Sequence, residues 1–357
     1  MLPRLSLSIV LGLWLACAGA APEEPWPQAL VPESAAVAAL QQYTFAPRDE
    51  QRREGVRTDA LLVIRDGRVV YERYAPGSGA DIPHATWSIS KSVMATVLGV
   101  AFGEGLLALD ERAAALYAPL RGHPEIRLQH LLQWTSGLDW QEDYEYAPLN
   151  SSVVAMLYTR GRQDMARYAA QRPASSAAGA HWRYSSGDSN LLSAILRARL
   201  GAERYRRYPW QALFEPLGIN HAVWETDAAG TFVASSYAYM SARDLARLGW
   251  LMANDGQWQG RQLLPKAWVE FNRTPVPVAP WLPDEPVAGG HWWLNVNRAW
   301  PAAPPATFAA LGHWGQALYV LPAQRLVVVR FADDRDGSYR HNELLKRVLA
   351  AFAQPSP

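Results

Sequence analysis

The sequence predicts an α+β fold: one antiparallel sheet built from strands at both ends of the chain, flanked by helices, with a mainly helical region inserted between. Three observations point there. "DALLVIRDGRVVYERYA" is two β-rich runs flanking Asp66-Gly67, a strong hairpin signal. "QALYVLPAQRLVVVRF" near the other end is a second hairpin, turning near Pro322–Gln324. Between them the pattern changes to helical stretches such as "SNLLSAILRARLG" and "SARDLARLGWLMANDG", punctuated by Pro- and Gly-containing loops.

The elements follow in order. Residues 1–20, "MLPRLSLSIVLGLWLACAGA", carry one charge at Arg4 and then a short apolar run ending in small residues, the pattern of a signal peptide cleaved after Ala18-Gly19-Ala20. The single cysteine, Cys17, lies inside this segment and offers a second reading as a lipoprotein acceptor, hence a lipid anchor. Either reading makes the protein exported: periplasmic or secreted, or held at the membrane as a lipoprotein. Residues 21–57 are rich in Pro, Ala and Glu and read as an extended lead-in. The remainder, 58–357, forms one domain, with residues 58–110 and 286–357 building the sheet part and 111–285 the helical insertion. A long buried helix is expected from Ser88 to about Leu107, strands return at "GGHWWLNVN", and "NELLKRVLAAFA" is a final amphipathic helix. A crevice between the sheet part and the insertion is the expected ligand site.

Composition narrows the function. The 357 residues carry a formal charge of +1, so no basic field recommends nucleic acid as a partner. Lys91, Lys266 and Lys346 are the only lysines; arginine supplies every other basic residue. A lysine can give up its proton where an arginine cannot, so each of the three invites a question.

Lys91 belongs to Ser88-Ile89-Ser90-Lys91, at the start of the long helix. Positions i and i+3 share a helix face, so hydroxyl and amine can meet. Serine needs a neighbouring base to become a nucleophile, and a lysine in an apolar wall loses charge through burial. The following "VMATVLGVAFG" supplies such a wall. The same residues also fit a helix capped by Ser88 with a solvated Lys91. Ser90 and Ser92 lack a lysine three residues later. "HWRYSSGDSNLLSAIL" sets Tyr184-Ser185-Ser186 ahead of a helix beginning near Ser189. A tyrosine beside a cationic lysine can have its pKa lowered and relay protons; equally, Tyr184 fits a packed aromatic. His313-Trp314-Gly315-Gln316 enters the last hairpin. There a glycine lets substrate approach the strand, the N–H of Gln316 could complete an oxyanion hole, and His313 could bind a polar group or serve structure alone.

Ser-Ile-Ser-Lys, then Tyr-Ser-Ser about a hundred residues on, then His-Trp-Gly before a C-terminal strand, resembles the serine β-lactamase and penicillin-binding-protein superfamily. The closer resemblance is to its class C-like branch of esterases, 6-aminohexanoate-dimer hydrolases and D-aminopeptidase-like enzymes, carried also by "LQHLLQWTSGLDW", "DMARYAA" and "WRYSSGDSNLLSAIL". It spans roughly residues 58–350 and implies a β-lactamase/transpeptidase-like fold. It implies Ser88 as the acylated nucleophile, Lys91 as its base, Tyr184 as the proton relay, and the N–H groups of Ser88 and Gln316 as the oxyanion hole. Ser186, His313, Trp314 and Gly315 are implied to contact substrate. Class C β-lactamases have asparagine where this chain has Ser186, and Lys-Thr-Gly where it has His313-Trp314-Gly315. The missing lysine removes a cation that would hold a β-lactam carboxylate, which favours small ester or amide substrates.

No Gly-x-Ser-x-Gly elbow is present, which counts against an α/β-hydrolase. The eight histidines form no metal-binding motif, and no phosphate-binding glycine loop occurs, so neither metal nor cofactor is expected. The alternatives are β-lactamase or D-alanyl peptidase activity at the same site, and a non-catalytic envelope-binding protein on the same fold. Trp87, Trp140, Tyr144, Trp182 and Trp314 are candidate pocket aromatics among sixteen tryptophans and fifteen tyrosines.

Overall fold

The computed structural model describes residues 26–278 and 281–353. The expected signal peptide, Cys17 and the start of the lead-in lie outside the described residues.

Seven strands form one antiparallel sheet: β1 (Thr58–Arg65), β2 (Arg68–Tyr74), β3 (Val287–Ala288), β4 (Trp293–Leu294), β5 (Phe308–Gly312), β6 (Gln316–Leu321) and β7 (Leu326–Ala332). Their order is β2-β1-β7-β6-β5-β4-β3, so the first and last long strands lie side by side at register Val63↔Val328. The β1–β2 turn works because Asp66 and Gly67 both take positive φ, 53° and 72°, the backbone a two-residue hairpin needs. Side chains alternate between faces along each strand. Leu61 and Val63 pack on one face, against Val37, Leu40, Leu344, Leu345 and Phe352. Leu62 and Ile64 pack on the other, with Val93, Val97, Leu245 and Leu248.

Two helices cover the first face: α1 (Ala35–Thr44) and, at the other end of the chain, His341–Phe352. The expected extended lead-in is therefore corrected over residues 35–44. Ser34 caps α1 by accepting from Val37 N at 3.2 Å, and Val37 and Leu40, one turn apart, are buried. The Pro-rich flanks hide this short helix in the sequence.

The second face carries α2 (Ile89–Gly103), α3 (Ser186–Leu200) and α4 (Ala242–Ala253). The expected long helix ends earlier than Leu107, at Gly103. It is buried on every side through most of its length, as the small and apolar residues predict. Gly249 of α4 lies against β6 and β7 so closely that a Cβ there would come 2.6 Å from Val327 Cγ1. A three-stranded sheet of His84–Ala85, Ala238–Met240 and Ala222–Trp224 joins the chain just before α2 to the inserted region. That junction fixes the start of α2 between the two parts.

Candidate active site

Residue 88 is held by its neighbours before any chemistry is asked of it. Thr86 donates its N–H and its hydroxyl to the Ala238 carbonyl, at 3.0 and 2.8 Å. Ser90 Oγ accepts from Ala238 N at 3.0 Å and bonds Thr86 Oγ1. Ser90 thus serves as a tie between α2 and the small sheet. Trp87 takes a left-handed backbone, φ 49°, a conformation that costs a bulky residue roughly 1–3 kcal/mol. Ser88 opens α2 without using its hydroxyl as a cap. Lys91 Nζ takes that hydroxyl instead, at 2.9 Å, and bonds the Ser235 carbonyl at 2.9 Å. Asn190 of α3 fixes the Ser235 segment by accepting from Ser235 N at 3.2 Å and donating to Ser235 Oγ at 3.3 Å.

Lys91 is 1% exposed. Burial lowers its pKa to about 8, against a smaller upward pull from Glu142. The ring of Tyr184 lies 4.9 Å from Nζ, face toward the amine. Burial raises the Tyr184 pKa well above the ordinary value, Glu142 adds to the rise, and a hydrogen bond with Ser88 pulls weakly back. The expected lowering of the Tyr184 pKa is therefore corrected: the phenol keeps its proton. Its ring packs on Trp134, 4.8 Å between centroids, and stacks on Trp293 at 5.6 Å.

Ser88 and Tyr184 line a cleft of about 600 Å³ together with Glu142, Tyr144, Trp293, Leu311, Gly312 and His313. Four carboxylates, Glu142, Asp143, Glu145 and Glu285, stand in its wall, and no lysine or arginine among the described residues does. His313 Nε2 lies 3.2 Å from Glu145 Oε1, and its ring meets Trp87 and Tyr144 at 5.4 and 5.3 Å. Burial lowers the His313 pKa while Glu145 opposes the change.

Four residues expected at the site, Ser186, Trp314, Gly315 and Gln316, are not among those that line the cleft. Ser186 is fully buried; its hydroxyl donates to Glu142 Oε1 at 2.5 Å and its N–H to Oε2 at 2.9 Å. Ser185 caps α3, accepting from Asp188 N at 3.0 Å, so the helix begins at Ser186 rather than near Ser189. Gln316 is absent from the cleft wall. Its side-chain amide is buried, with Nε2 donating to Ala332 O at 2.7 Å and to His313 O at 3.0 Å. Trp314 and Gly315 also stand back from the cleft. A Cβ on Gly315 would come 2.2 Å from Asp334 Oδ2, and its carbonyl accepts from the buried Arg330 at 3.1 Å. Trp314 Nε1 donates to Glu145 Oε1 at 3.3 Å. The backbone that does reach the cleft is one turn earlier, at Gly312 and His313. A Cβ on Gly312 would come 2.4 Å from the Thr86 carbonyl, so only glycine lets this strand end lie against the start of α2.

Glu142 is the residue the sequence reading missed. Besides Ser186 it accepts from Trp140 Nε1 at 2.5 Å, which accounts for the buried Trp140. Nothing in "WQED" separates it from a solvated acidic turn. Behind the site, His291 is buried and stacked on Trp134 at 4.6 Å, with its nitrogens bonded to Leu132 O and Ser189 Oγ. Burial lowers its pKa to about 3, which keeps it neutral.

The Beta-lactamase family profile matches residues 37–351. The chain belongs to the beta-lactamase family. It is a serine hydrolase of that family. It is 26% identical over 317 residues to the 6-aminohexanoate-dimer hydrolase of Paenarthrobacter ureafaciens, covering 84% of this chain and 78% of that one. Its fold matches a candidate 6-aminohexanoate-dimer hydrolase from Bacillus anthracis with TM-score 0.71 at 22% identity, over 92% of this chain and 86% of that one. It also matches a class C beta-lactamase in complex with cefoxitin, TM-score 0.63 at 17% identity, over 88% and 98% of the two chains. Both neighbours share the β-lactamase/transpeptidase-like architecture of this family member.

Proposed function

We propose that the protein is an exported hydrolase of amides or esters that works through an acyl-enzyme on Ser88, nearest in activity to 6-aminohexanoate-dimer hydrolase or esterase-like enzymes. The observation that carries this reading is the 2.9 Å contact between Lys91 Nζ and a Ser88 hydroxyl that caps nothing. Neutral Lys91 takes the hydroxyl proton as Ser88 Oγ attacks the substrate carbonyl. The developing oxyanion is received by backbone N–H groups at Ser88 and at His313, the latter replacing Gln316. As the carbonyl–nitrogen or carbonyl–oxygen bond breaks, Tyr184 gives its proton to the leaving group and takes the one held by Lys91. Water then adds to the acyl-enzyme, losing its proton to the same pair, and the acid departs.

The acidic cleft wall supports ester and amide substrates over β-lactams, whose carboxylate would face Glu142, Glu145 and Glu285 with no lysine or arginine among the described wall residues to hold it. The segment 1–20 supports export, with a lipid anchor at Cys17 as the alternative. The test is turnover by purified protein of p-nitrophenyl esters, 6-aminohexanoate dimer and a chromogenic cephalosporin. The reading expects esters or the dimer to be cleaved with far higher kcat/KM than the cephalosporin. The reverse order would move the assignment to β-lactamase, and turnover of none, with no acylation of Ser88, to an envelope-binding protein.

A further inference from the structure

Between β5 and β6 the chain turns through His313, Trp314 and Gly315. Trp314 takes a left-handed backbone there, φ 58°, and Gly315 follows at φ 87°. Such a conformation is unfavourable for a tryptophan and persists only where the surroundings hold it. Glycine at 312 and at 315 gives the backbone further freedom on either side. The turn is nonetheless tied at each of its three carbonyls. His313 O accepts from Gln316 Nε2 at 3.0 Å, Trp314 O from Asp334 N at 3.1 Å, and Gly315 O from Arg330 Nη1 at 3.1 Å. Arg330 and Asp334 are themselves paired, at 2.5 Å.

Gln316 carries the tie at the residue that reaches the cleft. It opens a strand that continues with the buried Ala317, Leu318 and Tyr319, so a polar side chain at its head calls for a reason. That side chain is fully buried and closes a pair with the end of β7: Nε2 donates to Ala332 O at 2.7 Å, and Oε1 accepts from Ala332 N at 2.9 Å. The second hydrogen of Nε2 goes to His313 O. Residue 313 is thereby held at both ends. Gly312 before it is pressed against the Thr86 carbonyl, and its own carbonyl is drawn toward β7. A His313 carbonyl released from this bond would be free to swing toward the cleft, where its negative end would oppose a developing oxyanion.

We propose that Gln316 is a positioning residue for the oxyanion site: its side-chain amide holds the His313 peptide toward β7, which keeps the His313 N–H aimed at the substrate carbonyl. The inference rests on the acyl-enzyme reading above and adds a residue that acts without touching substrate. A donor fixed in advance needs no reorganisation as charge develops, and the groups behind it supply that fixity.

The experiment compares the parent with two variants. Gln316→Met keeps the length of the side chain and removes both donors. Gln316→Glu keeps the acceptor for Ala332 N but has at most one proton for the two carbonyls that Nε2 serves. Melting curves and near-UV circular dichroism establish that the variants fold. On whichever substrate of the panel above the parent turns over fastest, kcat is expected to fall by about 10–10²-fold with KM little changed, short of the 10²–10³-fold cost of removing a donor outright. Phenylboronic acid supplies a readout that a purely structural tie would not move. Ser88 Oγ adds to its boron, the hydroxyl proton passes to Lys91, and the tetrahedral anion that forms puts one of its hydroxyls in the oxyanion site. Its inhibition constant is expected to rise by about the factor lost in kcat. A folded variant with kcat within about twofold of the parent, or one that loses kcat while binding the boronate as tightly, overturns the positioning role and leaves the hydrolase reading standing. Absence of Ser88-dependent turnover on the whole panel overturns both.

Discussion

Lys91 Nζ lies 2.9 Å from Ser88 Oγ while the lysine is 1% exposed. The pairing sets a pH dependence. Burial places the Lys91 pKa near 8, so below that pH the amine is charged and cannot accept the serine proton. kcat/KM on an ester is expected to rise with pH through a limb centred near 8 and level above it. A profile already flat from pH 6 upward would show that Lys91 is not the base.

Replacing the amine separates function from stability. Folding lowers the Lys91 pKa from 10.5 to about 8, so between those values the unfolded chain binds more protons here. Stability at this position therefore rises with pH across that window and is lower below it. Lys91→Met removes the buried charge and is expected to reduce turnover by about 10²–10⁴-fold. Its melting temperature at pH 7 is expected at or above that of the parent, because a buried charge is costly. A large fall in melting temperature with activity retained would reverse both assignments.

Tyr184→Phe keeps the ring between Trp134 and Trp293 and deletes only the hydroxyl. Turnover is expected to fall by about 10²–10⁴-fold with little change in thermal stability. The measurement is kcat alongside a melting curve; unaltered kcat would remove Tyr184 from the proton path.

Glu142 raises the Lys91 pKa, so Glu142→Gln is expected to move the pH limb below 8. Glu142→Ala would leave the Ser186 hydroxyl and N–H and the Trp140 indole without their acceptor. A loss of about 1–3 kcal/mol in denaturant unfolding is expected for each unpaired buried group that water cannot reach. A pH limb unmoved in Glu142→Gln would show that this carboxylate does not act on Lys91.

Gly312→Ala tests the reassigned oxyanion segment. Its Cβ would sit 2.4 Å from the Thr86 carbonyl, so the strand end must move away from α2. Activity is expected to fall by about 10²–10³-fold, the cost of one misplaced oxyanion donor. Full activity in this variant would place the donor elsewhere.

What the sequence made legible was local. Ser88 and Lys91 share one helical turn, so their meeting follows from spacing alone, and Asp66-Gly67 names its own turn. Tyr184 needed the family resemblance, because 96 residues separate it from Ser88. Glu142 stayed hidden because its partner Ser186 is 44 residues away and reaches it only through the fold. The proposed oxyanion segment lies at Gly312 and His313 rather than at Gln316 for a geometric reason. "GHWG" has a glycine at each end, and the β5–β6 register, which pairs Gly312 with Gln316, decides which of them meets α2. The helix Ala35–Thr44 was lost among prolines, since its stability comes from packing on the C-terminal helix rather than from its own ten residues.

The central claim is that Ser88 is the nucleophile. Intact-mass measurement after incubation with a fluorophosphonate probe tests it most directly. One adduct per chain is expected in the parent, mapped to the peptide carrying Ser88, and none in Ser88→Ala. An adduct of the same size on Ser88→Ala, or none on the folded parent, would contradict it.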